Sequence, residues 1–492
     1  MYQSLSDVEA IQLELGKSTD KKHKSELGQF MTSFAIAQFM ASLFTTIATN
    51  KTCKILDAGA GVGALSHALI NRYISDALFF NNINLSALEI DSKIHKKLME
   101  SLSLYETKKN IQLDIKLCDF IEDAVNNYIP NQISFSHVIL NPPYKKINSS
   151  SYHRHLLRKV GIETVNLYSA FVALSILLLE KNGQLVAIIP RSFCNGPYYQ
   201  PFRELILNEA SIKHIHLFGS RNKAFKDDGV LQENIIIYLE RAKQQDRVLI
   251  STSSDDSFSD YSEIEYPFKR IVNETDSGKF IHIPTSKEES ILELSSKIRY
   301  SLSDLDIQVS TGPIVDFRIK EYLRKMPEED SVPLLYPGHF LGSILNWPNL
   351  NLKKANAIKL HPDIEKWLYP SGYYTVIKRF SSKEEKRRIM ASILDPTTLP
   401  FSKVGFENHL NILHTRKQGL DKHLALGLTA FLNSTIVDNY FRQFNGHTQV
   451  NATDLRRMKF PHHEILLELG EWAGSRSKFD QVELDNKIET IL

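Results

Sequence analysis

Lys54-Ile55-Leu56-Asp57-Ala58-Gly59-Ala60-Gly61-Val62-Gly63 is the stretch on which the fold turns. A short apolar run ends in an acidic residue, glycines follow at alternate positions, and Ala64 to Tyr73 then repeats apolar residues at helical spacing. That order is strand, tight turn, helix. Glycine tolerates the left-handed backbone such a turn requires and lets a ligand approach the main chain closely. A plain strand-to-helix turn would look the same, so the chemistry has to be read from the surroundings.

On both sides of this stretch the alternation continues. Strands are predicted at Lys54 to Ala58, Ile83 to Glu89, Ile111 to Leu117, His137 to Leu140, Gln184 to Ile189, Ile212 to Leu217 and Asn234 to Leu239. Helices are predicted at Ala64 to Tyr73, Ser92 to Ser103, Val165 to Glu180 and Gln200 to Asn208. Short apolar runs alternating with amphipathic stretches predict a doubly wound, Rossmann-like α/β domain. The polar run Ser251-Thr252-Ser253-Ser254-Asp255-Asp256-Ser257 interrupts the rhythm, which sets the expected boundary between residues 1–245 and 246–492. The second part mixes turns such as Tyr336-Pro337-Gly338-His339-Phe340 with a helical stretch from Leu424 to Phe441, as an α+β domain would.

The 59 basic and 57 acidic side chains nearly cancel, so any nucleic-acid surface must come from local clustering. Such clusters occur at Lys21-Lys22-His23-Lys24, Lys145-Lys146, His153-Arg154-His155, Lys378-Arg379 and Lys386-Arg387-Arg388. The cysteines Cys53, Cys118 and Cys194 have no CxxC spacing, which argues against a disulfide framework or a cysteine-rich zinc site and suits a reducing cytoplasm. No metal is expected. The first residues lack the basic and apolar segments of a secretion signal.

Beyond the glycine loop, Glu89 ends the second strand and is the candidate acceptor for ribose hydroxyls, while Asp91 caps the next helix. The acidic start at Asp57 favours a methyl donor over a dinucleotide. In Cys118-Asp119-Phe120 the carboxylate can accept from a cofactor's adenine amino group while Phe120 covers the ring; a helix cap beside a core Phe is the alternative. Asn141-Pro142-Pro143-Tyr144 ends the strand His137 to Leu140, where open α/β sheets bind ligands. An exocyclic amino group conjugated to its base is a poor nucleophile and needs acceptors that draw its hydrogens out of plane. The Asn141 side-chain oxygen and the Pro142 carbonyl can supply them, the prolines stiffen the backbone, and Tyr144 offers a stacking face. Lys145 and Lys146 adjoin the entry of an extruded nucleotide, and at least one of them is expected to meet phosphate.

Together these residues resemble the DNA adenine-N6 methyltransferases of type II restriction-modification systems, in the gamma-type motif order with an N-terminal catalytic domain and a C-terminal target recognition domain. The resemblance implies S-adenosyl-L-methionine as cofactor, duplex DNA as substrate, and a cognate restriction endonuclease as functional partner. It implies that Phe30 and Thr32, in Gly28-Gln29-Phe30-Met31-Thr32, lie against the methionine part of the cofactor, although Ser33 stands where most relatives have Pro. It implies cofactor contacts from Asp57, Gly59, Gly61, Glu89, Asp119, Phe120 and Asn141, and catalysis by Asn141, Pro142 and Tyr144. Tyr199, with Tyr198 close behind, corresponds to a second aromatic residue against a flipped adenine. The segments Phe431 to Ser434 and Gly446 to Arg456 look like the PstI/BsuBI kind, which implies the palindrome CTGCAG. His447, Thr448, Gln449 and Asn451 are the DNA-contact candidates there; a capped, exposed helix start is the plain alternative.

Other readings are a methyltransferase acting on an RNA base or a protein glutamine, and a non-catalytic DNA-binding subunit. The large C-terminal part argues against the first. The intact donor and tetrapeptide positions argue against the second. No PD…(D/E)xK cluster suggests restriction activity in the same chain.

Overall fold

The computed structural model describes residues 32–47, 51–75, 77–219, 233–273, 276–285, 297–381, 385–399, 401–445, 448–476 and 479–492. It divides into two compact units, residues 1–287 and 288–492.

In the first unit a nine-stranded sheet has the order β3-β2-β1-β4-β5-β7-β6-β8-β9. Its strands are β1 (Thr52–Ala58), β2 (Asn82–Glu89), β3 (Ile111–Leu117), β4 (Phe135–Leu140), β5 (Leu179–Pro190), β6 (Ser211–Phe218), β7 (Asn234–Glu240), β8 (Arg247–Ser253) and β9 (Ser262–Pro267). The strands β3, β2, β1, β4 and β5 run parallel, and β7 is antiparallel to both of its neighbours. From β1 the chain winds outward to β2 and β3, then returns to place β4 on the other side of β1. The carboxyl edge of β1 and β4 is therefore the topological switch point, where such sheets leave a crevice.

Helices α1 (Phe34–Ser42), α2 (Ala64–Ile74), α3 (Ser92–Leu102), α4 (Phe120–Asp123), α5 (Tyr152–Lys159), α6 (Leu167–Leu177) and α7 (Gln200–Glu209) accompany the strands. Two apolar cores fill the two faces of the sheet. In β4, Val138 and Leu140 enter one core and Ile139 the other, as the period of a strand buried on both sides demands.

In this unit the predicted strands and helices all appear, one helix shortened. The helix expected through Glu180 stops at Leu177, because Leu179 already pairs with Phe135 and opens β5. The boundary expected after residue 245 is displaced to 287. The polar run that suggested it forms the end of β8 and the turn into β9, where Ser254 donates backbone and side-chain hydrogen bonds to Asp260 and Ser257 to Asp255. Small polar residues mark that hairpin turn; they do not link domains.

The second unit carries a six-stranded and a five-stranded sheet with helices, an α+β arrangement. The helical stretch expected from Leu424 to Phe441 is two helices, Lys422–Leu432 and Thr435–Phe444, because Ser434 breaks the run and caps the second. No helix among the described residues is long and apolar enough to cross a membrane.

Candidate active site

Asp57 pairs with Ile139 across β1 and β4, so the glycine loop and Asn141 leave the sheet side by side. A cavity of about 310 Å³ opens there. The loop takes its shape from Gly59, Gly61 and Gly63, with φ of 76°, 58° and 91°. A side chain at Gly61 would meet no protein atom within 4 Å, yet Gly61 lines the cavity, so the missing Cβ leaves that space to a ligand.

The loop is tied to β2 twice. The amides of Gly59 and Ala60 both donate to the Leu88 carbonyl at 2.9 Å. The Glu89 carboxylate, 3% exposed, accepts from the Gly61 amide at 3.0 Å and from those of Ile90 and Asp91 at 2.9 and 2.8 Å. Burial pushes this carboxyl above its ordinary pKa, against the pull of those three amides. Asp91 caps α3 by accepting from Lys93 and Ile94.

Asp57 departs from its expected role. It does not line the cavity but lies fully buried beneath the loop, accepting from the Ser66 hydroxyl at 2.6 Å, and burial raises its pKa to about 7. It braces the start of α2 against β1.

Asp119 caps α4, accepting through Oδ1 from the amides of Ile121 and Glu122 at 2.8 and 3.2 Å. It also lines the cavity, and Phe120 beside it is 3% exposed and packs on Phe171, 5.0 Å between ring centres. The helix-cap alternative is therefore realised, and both residues also stand at the cavity. Asp119 Oδ2 accepts from His153 Nε2 at 2.7 Å, a contact that sequence reasoning missed. Burial alone would raise the Asp119 pKa, but His153 and the two amides bring it below its ordinary value, while Asp119 raises that of His153. The expected basic cluster at 153–155 is thus dispersed: His153 turns to the cavity, Arg154 pairs with Glu163, and His155 bonds the Ser151 carbonyl.

Asn141 lines the cavity, and its Nδ2 donates to Thr32 Oγ1 at 2.9 Å. Pro142 is buried and Pro143 lines the wall. The Tyr144 hydroxyl reaches Asn141 Oδ1 at 3.4 Å and the Ile188 carbonyl at 3.1 Å. Burial raises the Tyr144 pKa far above the ordinary value. Its ring meets Tyr168 edge-on at 6.1 Å, and Tyr168 in turn lies 5.7 Å from Tyr199. Tyr168, which sequence reading also missed, is the buried link between the two aromatic residues expected at a flipped base. Tyr199 is half-buried and Tyr198 is 75% exposed, which separates the two candidates by packing. Buried Arg203 fixes this segment by donating to the carbonyls of Phe193 and Gly196 at 2.7 and 2.8 Å.

Lys145 is exposed and lines the cavity rim; Lys146 is exposed beside its bridge to Asn166. Phe30, His447 and the cluster at 21–24 lie outside the described residues. In the second unit Thr448 is exposed, Gln449 bridges Phe380, and Asn451 caps the helix Ala452–Arg457 in a reciprocal pair with Asp454. Arg388, expected on a basic surface, is 1% exposed and donates to Asn445 at 2.8 Å, so it is a structural cation; Lys386 beside it remains exposed.

A family model described as the Eco57I restriction-modification methylase matches residues 32–225. Type II methyltransferase M.BsuBI of Bacillus subtilis is 54% identical over 96% of this chain and 95% of its own length. Type II methyltransferase M.PstI of Providencia stuartii is 42% identical over 99% of this chain and 96% of its own. Among solved structures, a DrdV–DNA complex matches 92% of this chain and 57% of its own at 12% identity with a TM-score of 0.51, a likeness of fold.

Proposed function

Because the chain belongs to the type II methyltransferases of restriction-modification systems, with S-adenosyl-L-methionine as methyl donor, we propose that its target is the N6 amino group of an adenine extruded from duplex DNA. The observation that carries this reading is the Asn141 side-chain amide on the cavity wall, beside the glycine loop. Extrusion is needed because the amino nitrogen is inaccessible within the stack, and it costs a few kcal/mol that contacts to the flipped base must return.

When bound, S-adenosyl-L-methionine supplies a methyl group activated by its sulfonium. Glu89 would accept from the ribose hydroxyls, Asp119 from the adenine amino group, and Gly59 and Gly61 give the main chain close approach. Asn141 Oδ1 and the Pro142 carbonyl accept the two hydrogens of the target amino group, which turns the nitrogen lone pair toward the methyl. Tyr144 and Tyr199 flank the extruded base, and Lys145 and Lys146 meet backbone phosphate. The second unit reads the target, with Thr448 and Gln449 offered to DNA and CTGCAG as the sequence that the resemblance implies. The biological role is protection of host DNA in the cytoplasm from a cognate endonuclease.

The test is methylation of plasmid DNA by the full-length protein with labelled donor, mapped by single-molecule sequencing, alongside Asn141→Ala. N6-methyladenine within CTGCAG, absent with the variant, is the expected result. Label on RNA or protein and none on DNA would overturn the assignment.

A further inference from the structure

His153 stands on α5 at the cavity wall, facing a carboxylate whose acceptor sites can be counted. A carboxylate offers about four such sites. On Asp119, Oδ1 takes the amides of Ile121 and Glu122, and Oδ2 takes His153 Nε2 at 2.7 Å. One acceptor position therefore remains, on the oxygen that His153 holds. Both side chains line the cavity, and their exposures of 34% for His153 and 18% for Asp119 leave the pair at its edge. The charges facing His153 are Asp119 and Glu122 on α4 and Lys145 after β4, while the Tyr152 ring is its neighbour on α5. The adjacent Arg154 is committed to Glu163, so it does not compete for Asp119.

We propose that His153 is a positioning residue of the methyl-donor pocket, fixing the Asp119 carboxylate so that its remaining acceptor site meets a purine amino group and selects adenine over a 6-oxopurine. The proposal rests on the reading of Asp119 as the carboxylate that meets the donor's adenine. A purine with an oxygen at that position brings an acceptor against an acceptor. Without His153 the Oδ2 side of the carboxylate is released to water and rotation, and the discrimination is lost.

Calorimetry on the full-length protein compares S-adenosylhomocysteine with S-inosylhomocysteine, in which an oxo group replaces the 6-amino group and N1 carries a hydrogen. The wild type is expected to prefer the adenosyl ligand. His153→Ala should weaken that ligand about tenfold, the equivalent of one hydrogen bond, and leave the inosyl ligand within about twofold. His153→Gln, whose Nε2 can donate at similar reach, should keep most of the preference. An unchanged preference in His153→Ala, or equal weakening of both ligands, overturns the proposal. Asp119→Asn separates the two layers: loss of preference there with none in His153→Ala sinks the His153 proposal alone, and no loss in either sinks the Asp119 reading with it.

Discussion

Replacing Thr32 by Val removes the hydroxyl that accepts from the Asn141 side-chain amide. Thr32 is 5% exposed, its Oγ1 takes the hydrogen bond from Asn141 Nδ2 at 2.9 Å, and Val has nearly the same shape. An amide can turn over and exchange its oxygen for its nitrogen, and in the proposed mechanism the orientation with Nδ2 toward Thr32 is the one that offers Oδ1 to the target amino group. A neutral hydrogen bond contributes about 1 kcal/mol net, somewhat more when the abandoned donor is buried. At about 1.4 kcal/mol per tenfold change, methyl transfer should slow roughly five- to tenfold in single-turnover assays with saturating donor and DNA. Donor affinity by calorimetry should shift less than about twofold, since one neutral side chain replaces another. Thr32→Ser should restore the rate. A wild-type rate in Thr32→Val would refute the reasoning, as would a Thr32→Ser protein as slow as the valine variant. A loss confined to donor affinity would instead favour the contact with the methionine part of the cofactor.

Three further outcomes are expected. Burial holds His214 and His216 neutral, with pKa values lowered from 6.5 to about 4 and about 3. Their contribution is complete above the unfolded value and is lost as pH falls below it toward the folded values, on the order of 5 kcal/mol by pH 4. Protection factors in peptides from β6 and β8, referred to the intrinsic exchange rate at each pH, should therefore fall between pH 6.5 and 4; Trp347, Trp367 and Trp472, all beyond residue 287, would not report it. Tyr199→Ala should reduce the fluorescence rise of 2-aminopurine at the target position, by about 1–3 kcal/mol of lost stacking, whereas Tyr198→Ala should leave it unchanged. Arg388→Ala should destabilise the second unit by about 3 kcal/mol in urea melts followed by tryptophan emission, through the lost hydrogen bonds to Asn445 Oδ1 and Ser381 and the emptied space beside Phe441, while Lys386→Ala should leave the midpoint alone and weaken DNA binding.

Much of this molecule was legible in the chain because its signals are local. The alternation of β1 to β6 with helices, the left-handed glycines after β1, the Asp91 cap and the Asn141 tetrapeptide at a strand end each depend on neighbours a few residues apart. Open α/β sheets bind ligands beyond the carboxyl ends of their strands, so the tetrapeptide at a strand end also implied the side of the sheet that carries the site. What depended on contacts distant in sequence was not legible. His153 read as a surface cation because nothing nearby in the chain shows that α5 folds it onto Asp119, 34 residues away. Arg388 read as a basic surface because the burying partner, Asn445, is 57 residues away. Asp57 read as a ligand contact because its strand and loop announce proximity to the cavity, yet alternation along β1 and the Ser66 hydroxyl turn it beneath the loop. The sequence by itself determined which elements form and which residues stand at their ends, since those follow from backbone geometry and hydrophobic period. Only the tertiary structure decided which polar side chains face the cavity and which are spent holding it, because that is settled by which donors and acceptors burial brings together.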